Sequence, residues 1–148
     1  NPAPVPVNTS KKVYLYEKSI GFYSNISYTA PDYKFDLTKA NKVRMKVFVP
    51  SYNDYTTVAD VAGDWIAVNQ LQKQVAVKLQ NSAAGGSAWE TQTEIVKTNL
   101  TTDQWIELEF DFSEVKDRKD YDKIVIQFGA EGHAAPGIFF FDDFYFGE

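Results

Sequence analysis

Gly137-Ile138-Phe139-Phe140-Phe141-Asp142-Asp143-Phe144-Tyr145-Phe146-Gly147 closes the chain, a nearly continuous aromatic run broken by two adjacent carboxylates and bounded by glycines. Read as a strand, it alternates: Ile138, Phe140, Asp142, Phe144 and Phe146 share one face, and Phe139, Phe141, Asp143 and Tyr145 the other. Both faces are mostly aromatic, so at least one is buried. If that face carries Ile138, Phe140, Phe144 and Phe146, Asp142 points into apolar surroundings, where an uncompensated carboxylate costs several kcal/mol.

The first strand repeats the pattern from the other end of the chain. In Val13-Tyr14-Leu15-Tyr16-Glu17, Val13, Leu15 and Glu17 read apolar, apolar, carboxylate along one face. Two such carboxylates meeting in one layer repel each other unless a proton or a cation lies between them. A hard cation with oxygen ligands, calcium first, would join Glu17 to Asp142. The simpler alternatives are a loop cap or a lysine for Asp142, and plain solvation for Glu17.

Working outward, the same period of two recurs. Val43-Arg44-Met45-Lys46-Val47-Phe48-Val49 sends Val43, Met45, Val47 and Val49 inward and leaves Arg44, Lys46 and Phe48 on the other face, and Pro50 stops it. Gln74–Gln80 sends Val75, Val77 and Leu79 inward, and Trp105–Phe112 alternates without exception. Lys123–Phe128 and Trp89–Thr98 add two more strands, and Gly21–Tyr28 holds a loop and a short strand. Asn81–Ser87 reads as a flexible loop, and Ser51–Gln74 fits a short helix, a loop or a strand, with Gly63-Asp64 breaking any continuous element. Seven or eight strands separated by turns, with no long helix, predict an all-β fold: a two-sheet antiparallel β-sandwich.

Composition narrows the function. The 148 residues suit one domain, residues 11–148, preceded by a proline-rich linker over residues 1–10. That linker suggests a module belonging to a larger multidomain chain, although a loose terminus reads the same way. A net charge of −5 argues against nucleic acid as a partner. No apolar run is long enough for membrane insertion. The absence of cysteine removes disulfides, thiolate nucleophiles and zinc–cysteine sites.

The order of segments resembles the jelly-roll carbohydrate-binding modules attached to secreted glucanases and xylanases. The residues that carry the resemblance are Val13–Glu17, Phe35-Asp36-Leu37-Thr38, Asp103-Gln104-Trp105, Tyr121-Asp122-Lys123-Ile124 and Phe140–Phe144. It implies a galactose-binding-like jelly roll on a secreted or cell-surface protein. It also implies a structural calcium held by Asp142 and Glu17, and a polysaccharide ligand, with β-glucan the first candidate. The segment Ser51–Gln74 is longer and more aromatic than the family pattern.

A sugar site needs an aromatic platform and planar polar side chains. The candidates are Trp65, Tyr52 and Tyr55 in the long insertion, Trp89 beside the Gly-Gly loop, and Gln80 and Gln127 on the wet faces of strands. Trp65 and Trp89 equally fit the role of packing anchors. Trp105, opening a regular strand, is assigned to structure, and Tyr23 and Tyr28 either flank the site or cover the edge of the core. Two other readings remain: a polysaccharide lyase assembled from Arg44, Lys46 and His133 with a tyrosine, and a structural or adhesive protein-binding sandwich. Glu107, Glu109 and Asp111, spaced by two on one strand, read as a solvent-facing surface rather than a hydrolase pair.

Overall fold

The structure, a computed structural model, describes all 148 residues. The strands are β1 (Tyr14–Lys18), β2 (Ile26–Thr29), β3 (Lys42–Phe48), β4 (Val75–Gln80), β5 (Thr93–Lys97), β6 (Trp105–Asp111), β7 (Lys123–Phe128) and β8 (Gly137–Gly147). They form two antiparallel four-stranded sheets, ordered β1-β8-β3-β6 and β2-β7-β4-β5. The predicted β-sandwich is the observed one. Its core joins the inward residues of β3 and β4 (Val43, Met45, Val47, Val75, Val77 and Leu79) to Phe110, Phe128, Phe139 and Tyr121. Phe128 stacks on Phe139 across the sheets, with centroids 5.1 Å apart.

β8 explains its own double aromatic pattern. Its pairing with β3 slips by one residue: Lys46 faces Asp142 while Arg44 faces Tyr145, so one extra residue of β8 is accommodated there. Asp143 takes φ 49° within the bulge and is exposed. Before it the buried aromatics are the odd-numbered Phe139 and Phe141; after it Phe146 packs on the core, edge-on to Phe35. A strand that changes phase midway needs aromatic residues in both registers. The buried face over the first half is therefore not the one carrying Ile138 and Phe140, because the bulge lies between them and Phe146.

β1 also runs in the opposite phase to the expected one. Tyr14 stacks on Phe141 at 5.0 Å, Tyr16 meets Phe128, and Lys18 is fully buried, whereas Leu15 and Glu17 are exposed. The Lys18 ammonium is accommodated at the strand end because Nζ donates to the Ala135 carbonyl at 2.5 Å. A lysine can stand on the inner face here because a backbone carbonyl satisfies its buried ammonium.

The outer face of the β1-containing sheet carries an aromatic row made by register: Trp105 pairs with Phe48, and Phe48 with Phe140. Phe48 and Trp105 are buried there, and the Trp105 indole N–H donates to Asn1 Oδ1 at 2.9 Å. The proline-rich segment expected as a linker thus touches the sheet at both ends, since Asn8 is fully buried and donates to Asp142 Oδ2 at 3.0 Å. The rest of this face is charged as the alternation predicts: Arg44 and Lys42 pair with Glu109, and Lys46 with Asp143 at 2.6 Å.

Candidate functional site

The outer face of the second sheet is different. Ala76, Lys78 and Gln80 point away from the core, yet all three are buried along with the whole of β4. Flanking segments rise around them and turn the face into a groove of about 620 Å³. Its floor is Lys78 and Gln80 from β4 with Val125 and Gln127 from β7; Tyr23 and Asn25 line it on the β2 side.

Two tryptophans bound this groove, and both are largely exposed: Trp65 at 70% and Trp89 at 63%. Trp65 rides on the long insertion, which has no regular strand but is tied to the β7–β8 loop. Ala62 N donates to Gly132 O, Ala134 N to Asp60 O, and Val61 bridges His133. Gly63 lies against the indole, where a Cβ would fall 2.7 Å from Trp65 Nε1. A side chain there would force the platform to move.

Trp89 sits in the 3-10 turns Ser82–Thr91, which replace the flexible loop expected over Asn81–Ser87 and kink at Gly85 with φ 57°. Their base is stapled by Asp122, whose carboxylate accepts from Ser82 N and Ser82 Oγ, each at 2.7 Å, and pairs with Lys34 at 2.6 Å. Burial pushes the Asp122 carboxyl up, but the hydrogen bonds from Lys34 and Ser82 outweigh it and hold it below the ordinary aspartate value. The turn is anchored as a charged, deprotonated unit.

On the groove floor, Lys78 Nζ pairs with Glu131 Oε2 from the β7–β8 loop and with Glu94 Oε2 of β5, which lies outside the groove lining, both at 2.9 Å. Gln80 Nε2 donates to Gln92 Oε1 at 2.8 Å. Gln127 is 3% exposed and its carboxamide meets no protein partner. No side-chain polar atom sealed from solvent lacks a hydrogen bond, so that amide opens onto the groove. The arrangement offers two flat apolar faces beside a lining of side-chain amides, two lysines (Lys78 and Lys123) and one carboxylate, Glu131.

Of the predicted sugar residues, the structure brings together Trp65, Trp89, Gln80 and Gln127, and leaves two elsewhere. Tyr55 donates its hydroxyl to Pro50 O, packs on the core and lies under Lys73, while Tyr52 is exposed and outside the groove. Both belong to the early part of the insertion, which crosses the sandwich before reaching the groove. Glu94, Glu131, Gln92 and Asn25 were not singled out from the sequence. For Glu94 a signal existed, because it faces Lys78 once β4 and β5 are paired as a hairpin.

The proposed metal pair does not form. Glu17 faces Ile138, four residues along β8 from Asp142, about 13 Å at strand rise. Asp142 is buried, but on the outer face, where it faces Lys46 and accepts from Asn8. No three acidic, histidine or cysteine side chains cluster anywhere in the fold. These residues do not fit a calcium bridge, because the carboxylate that needed a partner already has an amide and a neighbouring lysine. The lyase constellation is likewise dispersed: Arg44 and Lys46 are ion-paired on the other sheet, and His133 is fully buried.

No family model matches the sequence, and no curated protein matches it. The fold is similar to a solved structure of carbohydrate-binding modules from the beta-sandwich superfamily, described there for promiscuous specificity. The identity is 10% and the TM-score 0.43; the match covers 91% of this chain and 56% of that one.

Proposed function

We propose that the protein is a non-catalytic carbohydrate-binding module that holds a polysaccharide in the groove between Trp65 and Trp89. The observation that carries this reading is the pair of exposed indoles at the walls of an amide-floored groove. An exposed tryptophan gains little in stability from where it stands, whereas a sugar ring laid on it buries apolar area on both partners. Gln80, Gln92 and Gln127 line the same groove and supply planar donors and acceptors suited to hydroxyls. Binding through a few stacking contacts in an open groove is weak per site and gains from repetition along the polymer. The module then serves to keep glycan near a partner enzyme or uptake system on a secreted or cell-surface protein.

Affinity electrophoresis in gels containing a panel of polysaccharides, β-glucan first, tests it. At least one polymer is expected to retard the protein, and Trp65→Ala and Trp89→Ala are each expected to abolish the retardation without altering the melting temperature. Unchanged mobility on every polymer overturns the reading.

A further inference from the structure

The concave face of the second sheet does not end at Trp65. A second cavity of about 240 Å³ adjoins the groove, and Trp65, Gln127 and Glu131 line both. The indole is therefore a wall shared by two spaces. By register, Ala76 of β4 stands between Gln127 of β7 and Val96 of β5, and all three line the second cavity, with Gln74 just before the strand. From Gln80 in the groove to Gln74 in the cavity, the two spaces follow β4 for about 20 Å at strand rise.

The lining of the second cavity is unusual for the outer face of a sheet. Val96 and Val68 are exposed apolar side chains there, and Ala76 is buried yet too small to fill the space above it. A sugar ring presents a flat face of C–H groups, and laying that face on such a floor removes apolar area from water on both partners. Gln127 is a second, independent pointer: a buried carboxamide with no protein partner, standing where the two cavities meet. Its donors and acceptor serve the hydroxyls of a ring in either space.

We infer that the cavity over Ala76 and Val96 is a second sugar subsite, so that a glycan lies lengthwise along β4 with rings on both sides of Trp65. This rests on the glycan-binding reading above and deepens it. The ligand class is a linear run of several sugars, and Trp65 is the middle of the site rather than its end.

Isothermal titration calorimetry of the whole chain tests it, using oligosaccharides from disaccharide to hexasaccharide cut from the polymer (β-glucan, xylan or galactomannan) that retards the protein in affinity gels. Affinity is expected to keep rising beyond the trisaccharide, by about tenfold to the hexasaccharide. Ala76→Leu fills the second cavity from its floor, and Val96→Arg, at an exposed position, covers it from the edge strand β5. Each is expected to remove that gain while leaving trisaccharide affinity within about twofold of native. Should Ala76→Leu fail to fold, Val96→Arg alone decides. A native affinity that is flat beyond the trisaccharide, a folded variant that keeps the full gain, or an equal loss at both lengths overturns the second subsite while the glycan reading stands. Failure of the native protein to bind any of these polymers overturns both.

Discussion

Asn8 and Asp142, at opposite ends of the chain, are joined by a 3.0 Å hydrogen bond between two buried side chains. This contact explains how β8 carries an acid where the outer aromatic row ends. Burial pushes the Asp142 carboxyl up, but hydrogen bonds from Ser10 and Asn8, then the Asp143 backbone and the field of Lys46, outweigh it, and its pKa falls below the ordinary aspartate value. A depressed folded pKa means that this contribution is present above about pH 4 and is lost as pH falls through the lower folded value. Asn8→Ala strands the carboxylate and is expected to cost about 1–3 kcal/mol, a drop of several degrees in calorimetric melting. A melting temperature within a degree of the native one means that the N-terminal segment does not hold the fold.

The base of the Trp89 turn makes a separate prediction. Asp122 holds Ser82 through two bonds and Lys34 through a third, so Asp122→Ala leaves Ser82 N without its acceptor and frees the turn that carries Trp89. We expect a loss of about 1–3 kcal/mol in denaturant unfolding together with weakened glycan retention, although Asp122 is not part of the groove lining. Destabilisation with undiminished retention would show that the turn keeps its shape without this staple.

Tyr52 and Tyr55 discriminate the groove from the aromatic insertion as a whole. Tyr55→Phe removes the donor to Pro50 O and is expected to lower the melting temperature modestly while leaving glycan retention intact. Tyr52→Ala, at an exposed position, is expected to change neither. Loss of retention in either variant moves the binding surface toward the start of the insertion.

The parts of the fold visible in the sequence are those where alternation runs unbroken between turns. β3, β4 and β6 were legible as strands because one face of each is uniformly apolar, but their order was not, since alternation marks a face without naming the neighbour. β8 misled because a bulge shifts the phase at Asp142-Asp143, and a period of two cannot reveal where it resets. β1 misled because Tyr16 and Lys18 are the residues turned inward, the lysine with its ammonium satisfied by the buried Ala135 carbonyl. Trp65 and Trp89 were recognisable as candidates from their loop settings, but their convergence depends on where an irregular insertion docks. The bonds from Ala62 and Ala134 to the far side of the chain leave no periodic trace.

Removal of divalent ions follows from the same register. With Glu17 exposed and four residues out of step with Asp142, chelation by EDTA is expected to leave the melting curve unchanged, and Glu17→Gln is expected to lie within about 0.5 kcal/mol of native stability. A chelation-induced fall of several degrees, reversed by added calcium, shows that other oxygens, including backbone carbonyls, assemble a site around Asp142.

His133 gives the fold a second pH dependence, in a higher window. Its Nδ1 accepts from Ala135 N at 3.2 Å, which makes Nε2 the protonated nitrogen and the donor to Gly129 O at 3.0 Å. Both ring nitrogens are satisfied in the neutral form, and a second proton would face the Ala135 N–H. Burial lowers the pKa, the Gly129 bond opposes this, and the positive charge of Lys18 lowers it further. The sign then follows: the unfolded chain takes up a proton near pH 6.5 that the folded chain refuses until lower pH. This contribution is full above about pH 6.5 and is lost as pH falls through the depressed folded value. The melting temperature is therefore expected to decline between pH 7 and pH 5, well above the Asp142 window. In His133→Gln, where Gly129 O still finds a donor but no group titrates, that decline should vanish. An equal decline in the variant would place the titrating group elsewhere.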